Sequence, residues 1–231
     1  SVGGVEIQPG YDVWLIAGQS NACERGVVDT AVDVVDPRVD QYACDPTNAT
    51  FRKIISAVPP LYCREGAQTG KVGPLSWFGR AAAQRQPAQR RILLVPAGVG
   101  STSLVGGTPR WNLTGDLYLN AIAQANAALE QAKARFPASR FAGIYWAQGE
   151  EDANNYVSRA AYRDALILLI SWLRSGITGA SNAPVLIAGM VPEALSIGGL
   201  PYRNIKLAHQ DVAVAVPRCV FVPGITGFCN D

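Results

Sequence analysis

The sequence predicts an α/β protein, a three-layer sandwich with helices on both faces of a central five-stranded parallel sheet. Three observations carry that expectation. Five short apolar runs punctuate the chain, helical patterns lie between them, and no internal repeat or Pro/Gly/Ser-rich linker divides the 231 residues. Strands that alternate with helices need crossover connections, and crossovers produce parallel sheets covered on both sides. A single domain spanning residues 1–231 follows.

The first run, Asp12 to Ala17, ends at Gly18 and reads as a buried strand. Four more runs follow at Arg91 to Val95, Phe141 to Ala147, Val185 to Ala188 and Cys219 to Val222. Helical patterns span Trp77 to Gln86, Leu117 to Phe136, Tyr156 to Arg174 and Tyr202 to Val216. Gly176 just past Arg174 is a stop signal, with the basic residue well placed against the helix dipole. Residues 24–75 break the rhythm as an irregular insertion rich in Asp, Pro and Gly. So long an excursion is expected to shape a site or to move.

Hydrophobic residues make up 48% of the chain and charged ones 16%, a globular composition. The net charge is +2 and no run of Lys or Arg exceeds two, so a nucleic-acid partner is not expected. The longest aliphatic run, Ala165 to Ile170, falls far short of the roughly 20 residues that cross a bilayer. A soluble protein is expected. Nothing near Ser1 resembles a signal peptide, which fits a cleaved leader or a trimmed chain.

The five cysteines form no C-x-x-C knuckle, and a single histidine supplies little for zinc, so no metal is expected. Cys44 and Cys63 flank one irregular segment, Cys219 and Cys229 another. That layout predicts two local disulfides with Cys23 free, and with them a secreted or otherwise extracytoplasmic protein. Five reduced, buried thiols are the alternative. The sequons Asn48-Ala49-Thr50 and Asn112-Leu113-Thr114 are too common to weigh.

Ligands of such sheets bind beyond the carboxyl ends of the strands. Three strands here end in polar or glycine-bearing sequences: Gly18-Gln19-Ser20-Asn21, Ala97-Gly98-Val99-Gly100-Ser101-Thr102 and Gln148-Gly149-Glu150-Glu151-Asp152. Ser20, after a strand and a glycine, stands where a tight turn exposes its hydroxyl and N–H. A serine nucleophile needs a base and donors for the developing oxyanion. The Ser20 N–H, the Gly100 N–H and the Gln148 amide are the available donors.

The residues Trp14-Leu15-Ile16-Ala17-Gly18-Gln19-Ser20-Asn21-Ala22 resemble the first block of the SGNH hydrolases, in the group of sialate O-acetylesterases and acetyl xylan esterases. Trp146-Ala147-Gln148-Gly149-Glu150-Glu151-Asp152-Ala153 resembles that group's third block. Gly100-Ser101-Thr102 with Trp111 downstream is similar to the second block, with Val99 where the family has its first glycine. The resemblance runs from about Tyr11 to the end of the chain. It implies a flavodoxin-like fold and a serine esterase acting on acetylated carbohydrate, with Ser20 as nucleophile and Gly100 and Gln148 completing the oxyanion hole. Neither metal nor cofactor is implied. The family's last block, Asp-x-x-His, supplies the base and its orienting carboxylate. Asp231 falls where that block begins, and the base is expected to be a histidine three residues beyond it.

His209 lies midway along a predicted helix and reads as a packing histidine rather than the base. Glu150 and Asp152 read as cap or loop organisers, Tyr145 and Trp146 as core, Cys23 as a small packing residue. Trp111, on a loop beside the second block, is the candidate substrate wall. Two rival readings remain: a carbohydrate-binding pseudoesterase lacking the base, and an SGNH lipase or thioesterase with a long apolar channel.

Overall fold

The computed structural model describes residues 6–66, 69–113 and 115–225. All five expected strands form: β1 (Gly10–Gly18), then β6 (Arg90–Pro96), β7 (Arg140–Ala147), β8 (Val185–Ala188) and β9 (Cys219–Val222). The sheet is wider than expected, because the excursion supplies β3 (Val39–Tyr42) and β4 (Ile54–Ser56). Seven strands lie in the order β4-β3-β6-β1-β7-β8-β9, and every pairing is parallel except β3 with β4. A small antiparallel pair, β2 (Gly26–Val27) with β5 (Lys71–Val72), closes the excursion's two ends on each other.

β3 has the sequence Val-Asp-Gln-Tyr, and all four residues are buried. Its polar side chains are matched from elsewhere. Asp40 accepts from the Tyr11 hydroxyl at 2.7 Å and pairs with Arg91 at 2.7 Å, while Gln41 Oε1 accepts from Tyr62 N at 2.7 Å. A buried polar group is tolerated only with such partners.

The helices are α1 (Pro74–Gln84), α2 (Leu117–Arg135), α3 (Glu150–Asn154), α4 (Arg159–Gly176) and α5 (Pro192–Ala215). The pattern read from Tyr156 to Arg174 begins later than expected. Tyr156 adopts φ 55° and Ser158 caps α4 by accepting from Ala161 N at 3.2 Å. α5 begins earlier, at Pro192, and kinks where Gly199 takes φ 61° two residues ahead of Pro201.

Side chains alternate across β1. Tyr11, Val13, Leu15 and Ala17 join the cluster under α2, α4 and α5, whereas Ile16 joins the smaller cluster that holds Leu75 and Ala83 of α1. Each fully buried aliphatic side chain there contributes about 1.5–3 kcal/mol. At the amino end of the sheet, buried Asp12 is held by Arg90 at 2.5 Å and Arg140 at 2.7 Å. The carboxyl end is thus left for chemistry.

The expected Cys44–Cys63 disulfide is absent. Both thiols are free and buried, as are Cys23 and Cys219, while Cys229 lies outside the described residues. The reason is geometric. Cys44 Sγ donates to its own strand at Tyr42 O (3.4 Å), and Cys63 lies against Ala22 O (3.8 Å) and the Cys23 thiol. The contact with Cys63, together with burial, pushes the Cys23 thiol up, and burial raises Cys44. These thiols pack rather than react, and the inference of an oxidising compartment loses the Cys44–Cys63 pair it leaned on.

Candidate active site

Read through the five strands expected from the sequence, the sheet order is β6-β1-β7-β8-β9, so the chain changes direction across β1. Sheets of this kind bind ligands outside the carboxyl ends at that switch. The three loops singled out in the sequence meet there. Val99 N donates to Gly18 O at 3.0 Å, and Gln19 N donates to Ala147 O at 2.9 Å. The first bond ties the loop after β6 to the end of β1, and the second ties the end of β7 to it.

Gly18 makes the approach possible. Its φ is +132°, and a Cβ there would lie 2.0 Å from Ala147 O, so no other residue fits. The chain then enters a 3-10 turn, Ser20–Ala22, with Ser20 partly exposed. The first N–H of a helical turn has no partner inside it. Among the described residues the Ser20 N–H meets no backbone carbonyl, and its hydroxyl makes no hydrogen bond. Neither is tied up among the described residues, as a nucleophile and an oxyanion donor require.

Gln148 is buried to 2% exposure. Its Nε2 donates to Asp152 Oδ2 at 2.6 Å, and lies 3.1 Å from both Gln19 Oε1 and Thr102 O. Its Oε1 accepts from the Tyr162 hydroxyl at 2.7 Å. The Gly100 N–H donates to the Glu65 carboxylate, which is also paired with Arg25. A carboxylate oxygen therefore already sits on this donor. Asp231 lies outside the described residues.

Trp111 corrects the expectation of a substrate wall. It is 0% exposed, packed edge-on against Trp146 with centroids 5.3 Å apart, and its Nε1 donates to Thr102 Oγ1 at 3.0 Å. The loop folds the ring inward, where it supports the second block from below. Trp146 is core and Tyr145 packs on Phe78, as read from the sequence. Asp152 organises the loop: Leu104 N, Val105 N and Gly106 N all donate to it, at 2.6–3.0 Å.

His209 is buried in α5, with Nε2 3.1 Å from the Tyr162 hydroxyl and no partner for Nδ1. Burial lowers its pKa to about 4, so it stays neutral at ordinary pH. It serves packing. Unfolding restores an ordinary pKa near 6.5, so the unfolded chain takes up the proton first. Stability is full above pH 6.5 and declines as pH falls toward 4, by about 3 kcal/mol over that window. In denaturant titrations from pH 7 to pH 4, His209→Gln should lose stability less steeply than wild type. Parallel curves would show that the histidine is not neutral in the fold.

Gln19, Glu65, Arg25 and Tyr162 were not singled out in the sequence. Gln19 alone carried a signal, its place beside Ser20. The others depend on chain segments that meet only in the fold.

A family model described as carbohydrate esterase, sialic acid-specific acetylesterase, matches residues 10–225. No curated protein sequence matches the chain. Among solved structures it is similar to NanS, with a TM-score of 0.79 and 20% identity over 95% of this chain and 79% of that one. A protein from Arabidopsis thaliana aligns with a TM-score of 0.71 and 19% identity, covering 93% and 85%. A carbohydrate acetylesterase from Xanthomonas citri aligns with a TM-score of 0.58 and 16% identity, covering 92% and 50%. Likeness at such identities speaks for the fold.

Proposed function

The chain belongs to the carbohydrate esterase family of sialic acid-specific acetylesterases and is a carboxylic ester hydrolase, and from that premise we propose that it deacetylates a carbohydrate through an acyl-enzyme on Ser20. Acetylated sialic acid and acetylated xylan are the substrates this reading names. The observation that carries it is the partly exposed Ser20, on a turn whose first N–H is unused, between the loops that follow β6 and β7.

In this mechanism Ser20 Oγ attacks the ester carbonyl while a histidine oriented by Asp231 takes its proton. The oxyanion is held by the N–H groups of Ser20 and Gly100 and by the Gln148 amide. Collapse releases the sugar hydroxyl, which receives the proton. Water then attacks the acyl-enzyme by the same route and acetate departs. Two features of the resting site must yield. The substrate carbonyl displaces the Glu65 carboxylate from Gly100, and Arg25 retains it. At Gln148 one hydrogen stays on Asp152, while the other, shared at 3.1 Å between Gln19 Oε1 and Thr102 O, is given over to the oxyanion as those longer contacts are released.

The test is acetate release by the full-length protein, offered acetylated sialic acid and acetylated xylan in parallel. Release from either supports the esterase and identifies its sugar. Sugar binding without acetate release would overturn the esterase in favour of a carbohydrate-binding pseudoenzyme.

A further inference from the structure

A primary amide has two ends of almost the same shape, one a carbonyl and one an NH2. Gln148 serves as an oxyanion donor only if the NH2 end faces the site. The residues around it decide that.

Start from Tyr162, buried to 0% exposure on α4. A phenol oxygen donates one hydrogen and accepts at two lone pairs. Trp146 Nε1, which can only donate, approaches the Tyr162 oxygen at 3.3 Å. The Tyr162 hydroxyl itself donates toward Gln148, lying 2.7 Å from Oε1 and 3.0 Å from the backbone oxygen. His209 Nε2 lies 3.1 Å away, and because the buried Nδ1 has no hydrogen-bond partner the ring hydrogen belongs on Nε2, where it fills the second lone pair. That fixes the tautomer. With both lone pairs taken, Tyr162 has nothing left to offer Gln148 except a hydrogen. It must face the carbonyl end. On the opposite side Asp152 Oδ2, 2.6 Å from Nε2, accepts and so must face the NH2 end.

From this geometry we infer that Tyr162 and His209 are positioning residues that lock the Gln148 amide with its NH2 toward Gln19, Thr102 and the nucleophile loop. The inference rests on reading Gln148 as an oxyanion donor. His209 acts two steps from the chemistry: it saturates Tyr162, Tyr162 orients Gln148, and Gln148 meets the oxyanion. Without the His209 N–H, the Tyr162 oxygen keeps a free lone pair and no longer opposes a flipped amide, which leaves Asp152 alone to hold the orientation.

The experiment is a double-mutant cycle on kcat with p-nitrophenyl acetate, in full-length protein whose variants are shown to be folded. Gln148→Ala should lower kcat by roughly 10²–10³ with KM little changed. Tyr162→Phe should lower kcat by about tenfold or more in the wild-type background. In the Gln148→Ala background it should change kcat by less than about twofold. His209→Leu should repeat that pattern, and His209→Gln, which restores a donor, should recover most of the lost rate. The His209 pair carries the comparison should Tyr162→Phe not fold. An equal loss in both backgrounds, or a full rate in His209→Leu, would overturn the positioning role while leaving Gln148 its own. An unchanged kcat in Gln148→Ala would remove the oxyanion reading and this inference with it.

Discussion

Ser20→Ala should yield a folded protein with no measurable hydrolysis of p-nitrophenyl acetate. The loss in kcat is expected to be on the order of 10⁶, the scale on which a serine hydrolase falls when its nucleophile is removed. The fold should survive because the hydroxyl is partly exposed and makes no hydrogen bond among the described residues. Its removal leaves no buried group without a partner, and such substitutions stay within about 0.5 kcal/mol. The Ser20 N–H, the Gly100 N–H and Gln148 remain in the variant, so acetylated sugar should still bind. Activity and binding therefore separate in one protein, which a general collapse of the site could not produce. Turnover at the wild-type rate in folded Ser20→Ala would end the acyl-enzyme mechanism.

The strands legible in the sequence share one property. β1, β6, β7, β8 and β9 are apolar runs, and that composition alone marks them as strands. β3 hid because its burial depends on partners far along the chain. Asp40 and Gln41 look like surface residues until Tyr11, Arg91 and Tyr62 arrive to satisfy them. The site divides along the same line. Ser20, Gln148 and the loop holding Gly100 stood out because each ends a legible strand. The carboxylate on Gly100 did not, since Glu65 reaches it only after the excursion folds back against Arg25. Trp111 and the cysteines mark where position in the sequence misled. A loop residue was read as facing solvent, yet its ring found Trp146 beneath it. Spacing paired Cys44 with Cys63, yet Cys63 meets Cys23.

Asp152→Ala should be among the most destabilising single substitutions in the chain. Asp152 is 0% exposed, and four donors converge on its two oxygens. Oδ1 accepts from Val105 N at 2.7 Å and Gly106 N at 3.0 Å; Oδ2 accepts from Leu104 N and Gln148 Nε2, both at 2.6 Å. A buried donor stripped of its partner costs about 1–3 kcal/mol. Even with relaxation and some entry of water, the sum should exceed about 4 kcal/mol, a range reached only by a few named mechanisms. Asp152→Asn sharpens the expectation. It keeps the volume and one acceptor oxygen, but sets an NH2 against whichever pair of donors faces the other position. It should fall between alanine and wild type in stability. Its kcat should drop further than its stability suggests, because Gln148 can be held on the NH2 side only if the remaining oxygen faces it. Denaturant titration gives the first quantity and steady-state kinetics the second. Asp152→Ala unfolding within about 1 kcal/mol of wild type would mean that the loop from Leu104 to Gly106 finds its hydrogen bonds elsewhere. Asp152 would then not be what holds that loop beside Gln148.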